Sequence, residues 1–118
     1  MLKLQTNSPD PYWLDLAPGV RLQVRPVSVT SMLLARAAAG EILREGGEDA
    51  TTKAGAAFTR ALARSGIVAW EGIGDADGQP VEPTPDRIDQ LLEVWPAFDA
   101  IDRLYVAPAL TQDAEKNA

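Results

Sequence analysis

At 118 residues with 46% apolar side chains, the chain is sized for one domain closed around one core. Its formal charge of −6 argues against nucleic acid, whose phosphates would repel such a surface. With neither cysteine nor histidine, it has no disulfide, thiolate nucleophile or cysteine-based zinc site, and it lacks the usual general base.

The first element reads as a β-hairpin over residues 10–26. Tyr12, Leu14 and Leu16 alternate with Trp13 and Asp15, and Val20, Leu22 and Val24 alternate with Arg21, Gln23 and Arg25. A period of two marks a half-buried sheet with its arginines on the wet side. Ala17-Pro18-Gly19 supplies the turn, and Pro26 ends the second strand or confines it to an edge. A lone hairpin is marginal in water, so this one must pack on helices or pair with another chain.

Helices are predicted over 28–45, 52–70, 85–95 and 97–107. Ser28 caps the first, with Leu33, Leu34, Ala37, Ala38 and Ile42 as its apolar face. Gly46 and Gly47 make the connection, and Thr51 or Thr52 caps the second helix. There Ala54, Phe58, Ala61, Leu62 and Ser65 share one side, and Lys53, Arg60 and Arg64 the other. Gly66 weakens this helix without ending it, so it continues through Trp70. Gly72 to Pro83 is a loop. Thr84-Pro85-Asp86 then starts the third helix with a hydroxyl cap, a proline in the first turn and an acid near the positive dipole end.

Ile88, Leu91, Leu92 and Trp95 recur at i, i+3, i+4 and i+7, which places all four in the core. The last helix buries Phe98, Ile101, Leu104, Tyr105 and Pro108, with Asp99 and Arg103 paired on its surface, and 109–118 is a frayed tail. The fold class is therefore α+β: an N-terminal β-hairpin packed with a small bundle of three to four helices, in one domain over 1–118. No apolar run approaches the roughly 18–20 residues of a membrane helix. Met1 to Ser8 has no signal-peptide core, so a soluble protein is expected, and the absence of cysteine fits a cytoplasmic one.

Chemical motifs are weak throughout. Asp75-Ala76-Asp77-Gly78 is similar to part of a calcium loop, but placing Gly78 sixth puts Ile73 first and Thr84 twelfth, where ligands are needed. It reads as a turn. Glu41, Glu45, Glu48 and Asp49 straddle a helix end and a glycine loop, too loose for a catalytic pair, and read as solvated surface. Ser65 with a lysine would be a hydrolase arrangement, yet Lys3, Lys53 and Lys116 sit in no supporting motif. Gly72-Ile73-Gly74 lacks the helix that a dinucleotide fingerprint requires. No enzyme activity, metal or cofactor is expected.

The candidate partner-binding residues are Tyr12, Trp13, Arg21, Arg25 and Trp70. Interfaces favour tryptophan, and a hairpin edge invites strand addition. Trp13 is the foremost of these, although packing onto a helix is the better reading of it. Trp70 reads first as a core anchor for the loop it precedes.

Trp70-Glu71-Gly72-Ile73, Asp77-Gly78-Gln79-Pro80-Val81, Pro83-Thr84-Pro85, Leu91-Leu92 and the closing Asp113-Ala114-Glu115-Lys116-Asn117 together resemble the tail assembly chaperones of long-tailed bacteriophages and prophage-derived elements. The resemblance covers about residues 58 to 117. It implies a cytoplasmic, non-enzymatic protein that associates with the tape measure protein and helps major tail proteins polymerise around it. It also implies that this chain is the shorter of two products, since family members are often made in two lengths by ribosomal frameshifting near the end of the shorter one. Self-association through the hairpin edge fits that picture. The runner-up is a structural head–tail connector or tail-completion subunit.

Overall fold

The computed structural model describes residues 1–4 and 10–111. Strands β1 (Tyr12–Ala17) and β2 (Val20–Val24) form the expected antiparallel hairpin, with Tyr12 opposite Val24 and Leu14 opposite Leu22. Helices α1 (Val29–Glu45) and α2 (Ala50–Gly66) follow as an antiparallel pair. Strand β3 (Ile67–Glu71) returns to pair with β2, and helices α3 (Pro85–Leu92) and α4 (Trp95–Ile101) close the molecule. The class is α+β, with a three-stranded antiparallel sheet in the order β1-β2-β3 beside four helices.

The third strand corrects the expectation of a helix from 52 to 70. Helix α2 stops at Gly66, whose carbonyl accepts from Arg25 N–H at 2.8 Å, and the chain turns directly into β3. Ile67-Val68-Ala69-Trp70 is an unbroken apolar run, which fits a buried strand and a buried helix equally by periodicity. The vacant edge of β2 decided between them. A register shift opposite Gln23 and Val24 inserts one extra residue in β3, so Ile67 and Trp70 both face the core despite their odd spacing.

Helix α1 carries the full Ser28–Ser31 capping box. Its packing differs from the expected face. Ala35 is wholly buried and Ala38, Ala39 and Ile42 half-buried, whereas Leu33, Leu34 and Ala37 lie outside. Residues 35, 38, 39 and 42 are an i, i+3, i+4, i+7 stripe of three alanines ending in Ile42, and the small side chains let α1 approach the alanines of α2 closely. Helix α2 starts two residues early. Asp49 stands at its N-cap in the left-handed region (φ 64°) without a side-chain cap, so neither Thr51 nor Thr52 serves there.

The core unites Leu22 and Val24 of β2, Leu62 and Ala63 of α2, Trp70 of β3, Ile88 and Leu92 of α3, and Ile101, Tyr105 and Val106. Thr84 caps α3 as expected, its hydroxyl accepting from Arg87 N–H at 3.2 Å. Trp95 does not join Ile88 and Leu92. Val94 takes an extended conformation (ψ 109°) ahead of α4, and Pro96 in the first turn of α4 has no N–H to carry α3 forward. The helical phase resets there, leaving Trp95 69% exposed.

A second phase change follows α4. Residues Asp102–Val106 form a π-helical turn, closed by Ala107 N–H donating to Asp102 O, and the helix then runs to Thr111. The wider turn brings Val106 inward and puts Pro108 outside, contrary to expectation. Pro108 cannot donate to the carbonyl four residues back, and a π turn just before it accommodates that loss. Residues 109–111 of the expected frayed tail are helical, and residues 112–118, with the Asp113–Asn117 motif, lie outside the described residues.

Candidate interaction surfaces

The hairpin residues divide between the two faces of the sheet. Leu22 and Trp70 pair on the core side, while Arg21 pairs with Asp15 and Glu71 on the open side. There the Arg21 guanidinium stacks 4.4 Å from the centroid of Trp13 and reaches Glu71 at 3.3 Å and Asp15 at 3.6 Å. Trp13 therefore lies on open sheet under an arginine rather than on a helix. This cluster is neutralised from within: one cation meets two carboxylates and one ring face, each partly solvated and each worth under about 1 kcal/mol.

Trp70 is removed from the candidate partner-binding surface. It is 9% exposed, on the opposite face from Trp13, and its indole N–H donates to the Val81 carbonyl. That bond ties β3 to the far end of the loop. Within the loop, the Asp75 carboxylate accepts from the N–H groups of Asp77 (2.9 Å) and Gln79 (3.0 Å), and Gly78 takes φ 78°. The Asp-Gly segment is thus a turn, its first aspartate occupied by its own backbone. Among the described residues no group of three or more acidic side chains could hold a metal ion.

Tyr12 is 42% exposed, and partial burial raises its pKa. Arg25 contributes its backbone to the core. Its carbonyl accepts from the Tyr105 hydroxyl at 2.6 Å, and its N–H reaches Gly66. Burial, foremost, pushes the Tyr105 pKa up to about 12. Of the five candidate residues, then, only Trp13 and Arg21 touch on a solvent-facing surface, with Tyr12 at the sheet's outer strand. Ser65 lines a small cavity of about 210 Å³ with Ser28, Thr30, Ser31 and Tyr105. Lys53 is twelve residues earlier on α2, roughly 18 Å along the axis, so the two do not meet.

Two features were not visible in the linear pattern. Arg60 and Arg64 turn toward α3. Arg64 grips Asp89 through Nε and Nη2, one to each carboxylate oxygen, and Arg60 lies 3.8 Å from both Asp89 and Glu93. The i, i+4 spacing of both pairs is the sequence signal that two facing helices would lock this way. The Arg64 hydrogen bond is the main cause lowering the Asp89 pKa.

The second feature is apolar exposure. On α1, Val29, Leu33, Leu34 and Leu43 are 52–78% exposed, and no described element covers them. Near α4, Val94 and Trp95 are exposed, and Trp95 stacks on Phe98 with centroids 6.1 Å apart. The Trp95-Pro96 step was the available clue, because a proline there breaks the stripe that otherwise assigns Trp95 to the core. A comparison of the chain with protein-family models, characterised proteins and solved structures gives no match. No helix among the described residues is long and apolar enough to cross a membrane.

Proposed function

We propose that this chain is a non-enzymatic phage tail assembly chaperone that binds tape measure and major tail proteins during tail morphogenesis in the host cytoplasm. The sequence support is the resemblance carried by Trp70 to Leu92. The structural feature that favours a binding role is the outward face of α1. Val29, Leu33, Leu34 and Leu43 stand largely in solvent on a helix whose fully buried residue is an alanine. Single exposed leucines are ordinary, but four along one helix provide the kind of surface that an aggregation-prone client would cover. The outer edge of β1 remains a second route for self-association, since β3 occupies the other side of β2.

Co-expression with the neighbouring tape measure and major tail proteins tests the reading. The clients become soluble and co-purify with the chain, and Leu33→Glu with Leu43→Glu abolishes this without changing the chain's own thermal midpoint. Failure to associate with either client at low and moderate salt defeats the proposal. Retention of the chain in purified particles would assign it instead to the connector or tail-completion class.

A further inference from the structure

Where α2 passes α4, the surface opens into a groove of about 500 Å³. One wall is the α2 face formed by Thr52, Gly55, Ala56 and Thr59, and the other is the stacked pair Trp95 and Phe98. The groove differs from ordinary surface in three respects. Its largest side chain, Trp95, is 69% exposed, although tryptophan is usually well buried. Gly55 sits in a helix interior where an added Cβ would meet nothing within 4 Å, so packing within this chain does not require a glycine there. Charge around the groove is also unbalanced. Arg60 is matched by Asp89 and Glu93, whereas the Asp102 carboxylate accepts from the Thr59 hydroxyl at 3.3 Å and has no cation within 4 Å among the described residues.

From this we infer that the groove docks a basic amphipathic helix of a partner protein. An apolar side chain of that helix enters between Trp95 and the low floor at Gly55 and Ala56. A lysine or arginine beside it crosses the Trp95 face toward Asp102. Trp95 and Asp102 are seven residues apart, about 10 Å along one side of the helical segment, and both groups attract a cation. The open residues of this α2 face, Thr52, Gly55 and Ala56, recur at i, i+3 and i+4, the spacing into which a second helix packs, and buried Thr59 ends the row beside Asp102. The net charge of −6 adds long-range attraction for such a segment. This inference concerns a different surface from the α1 face and does not depend on the chaperone reading.

The test uses the full ¹⁵N-labelled chain and a synthetic 18-residue helix with leucine at i, i+3, i+4 and i+7 and lysine elsewhere. A matching peptide with glutamate in place of lysine is the control. Binding of the lysine peptide should shift the Trp95 indole N–H signal, identified by its loss in Trp95→Phe, and leave those of Trp13 and Trp70 in place. Trp95→Ala and Gly55→Gln should each weaken binding tenfold or more, and Asp102→Asn severalfold. Gly55→Gln has open space and better helix propensity, so it blocks the groove in a folded protein. The inference is overturned by equal shifts at Trp13 and Trp95, by equal affinity for the glutamate peptide, or by unchanged affinity in Gly55→Gln. It is also overturned if the Trp95 signal moves with protein concentration alone, which would make a second copy the occupant. Should the chain bind tail proteins while Gly55→Gln has no effect, this inference fails and the chaperone reading stands. The reverse outcome separates them the other way.

Discussion

Gly66→Ala places a methyl group where there is no room for one. A Cβ built there stands 2.1 Å from the Tyr105 hydroxyl oxygen, 2.7 Å from Cζ and 2.9 Å from Cε2, against an ordinary contact near 3.5–4 Å. Tyr105 is 3% exposed and hydrogen-bonded to the Arg25 carbonyl, so its ring cannot retreat into solvent. Overpacking costs about 1–3 kcal/mol, and loss of the buried hydroxyl–carbonyl bond adds about 1–3 kcal/mol. Better helix propensity returns at most about 1 kcal/mol, and less at a terminal residue. The net expectation is a loss of about 2–4 kcal/mol, read by urea unfolding and as a fall in thermal midpoint on the order of 10 °C or more. A double-mutant cycle with Tyr105→Phe sharpens the test, because that change removes the nearest clashing atom. The double variant should be less destabilised than the two single changes added together. A Gly66→Ala protein within 0.5 kcal/mol of the parent, or strict additivity, refutes the steric account.

Tyr105 also gives a pH signature. Its pKa is raised to about 12 in the folded state, so its contribution is complete below the unfolded value near 10 and disappears as pH climbs through about 12. Stability measured across that window should fall more steeply in the parent than in Tyr105→Phe. Asp89 behaves oppositely. Its pKa is lowered chiefly by Arg64, so its share is present above the ordinary carboxylate range and lost as pH falls below it. Asp89→Asn should cost about 1 kcal/mol at pH 7, as urea unfolding would show, and progressively less as pH falls below the ordinary carboxylate range. Gly72 and Gly19 both have positive φ, yet a Cβ at Gly72 meets the Gly19 carbonyl oxygen at 1.9 Å, while one at Gly19 meets nothing. Gly72→Ala should therefore cost about 3 kcal/mol or more and Gly19→Ala about 1 kcal/mol, compared by thermal melts.

Local chemistry was legible wherever one residue type decided the outcome. The two faces of the hairpin followed from alternation, and α3 began where Thr84 and Pro85 placed it. Partner-dependent features were not. Nothing within Ile67 to Trp70 says that β2 has a free edge to fill. The leucines of α1 would form a core face against a partner with large side chains, but α2 offers alanines, so α1 turned its own alanines inward. Trp95 and Pro108 each lie just beyond a break in helical phase, and a periodicity counted through a break assigns the wrong face. For the same reason the exposed Trp95 groove was hidden, and the Trp13–Arg21 contact, a diagonal across β1 and β2, needed the strand register to be seen.

Helices α1 and α2 are each 17 residues long, and they leave and rejoin the sheet at adjacent points, Arg25 and Gly66. Their equal length makes them a matched pair of struts that delivers β3 to β2 in register. Lengthening one strut by a single turn would displace β3 by about 5.4 Å, more than the 3.3 Å rise of one strand residue, and would break the ladder. Lengthening both by the same whole turns would leave the ladder unchanged and carry the Gly46-Gly47 tip outward. The reach of this arm is therefore adjustable in steps of a helical turn, without altering the sheet on which it stands.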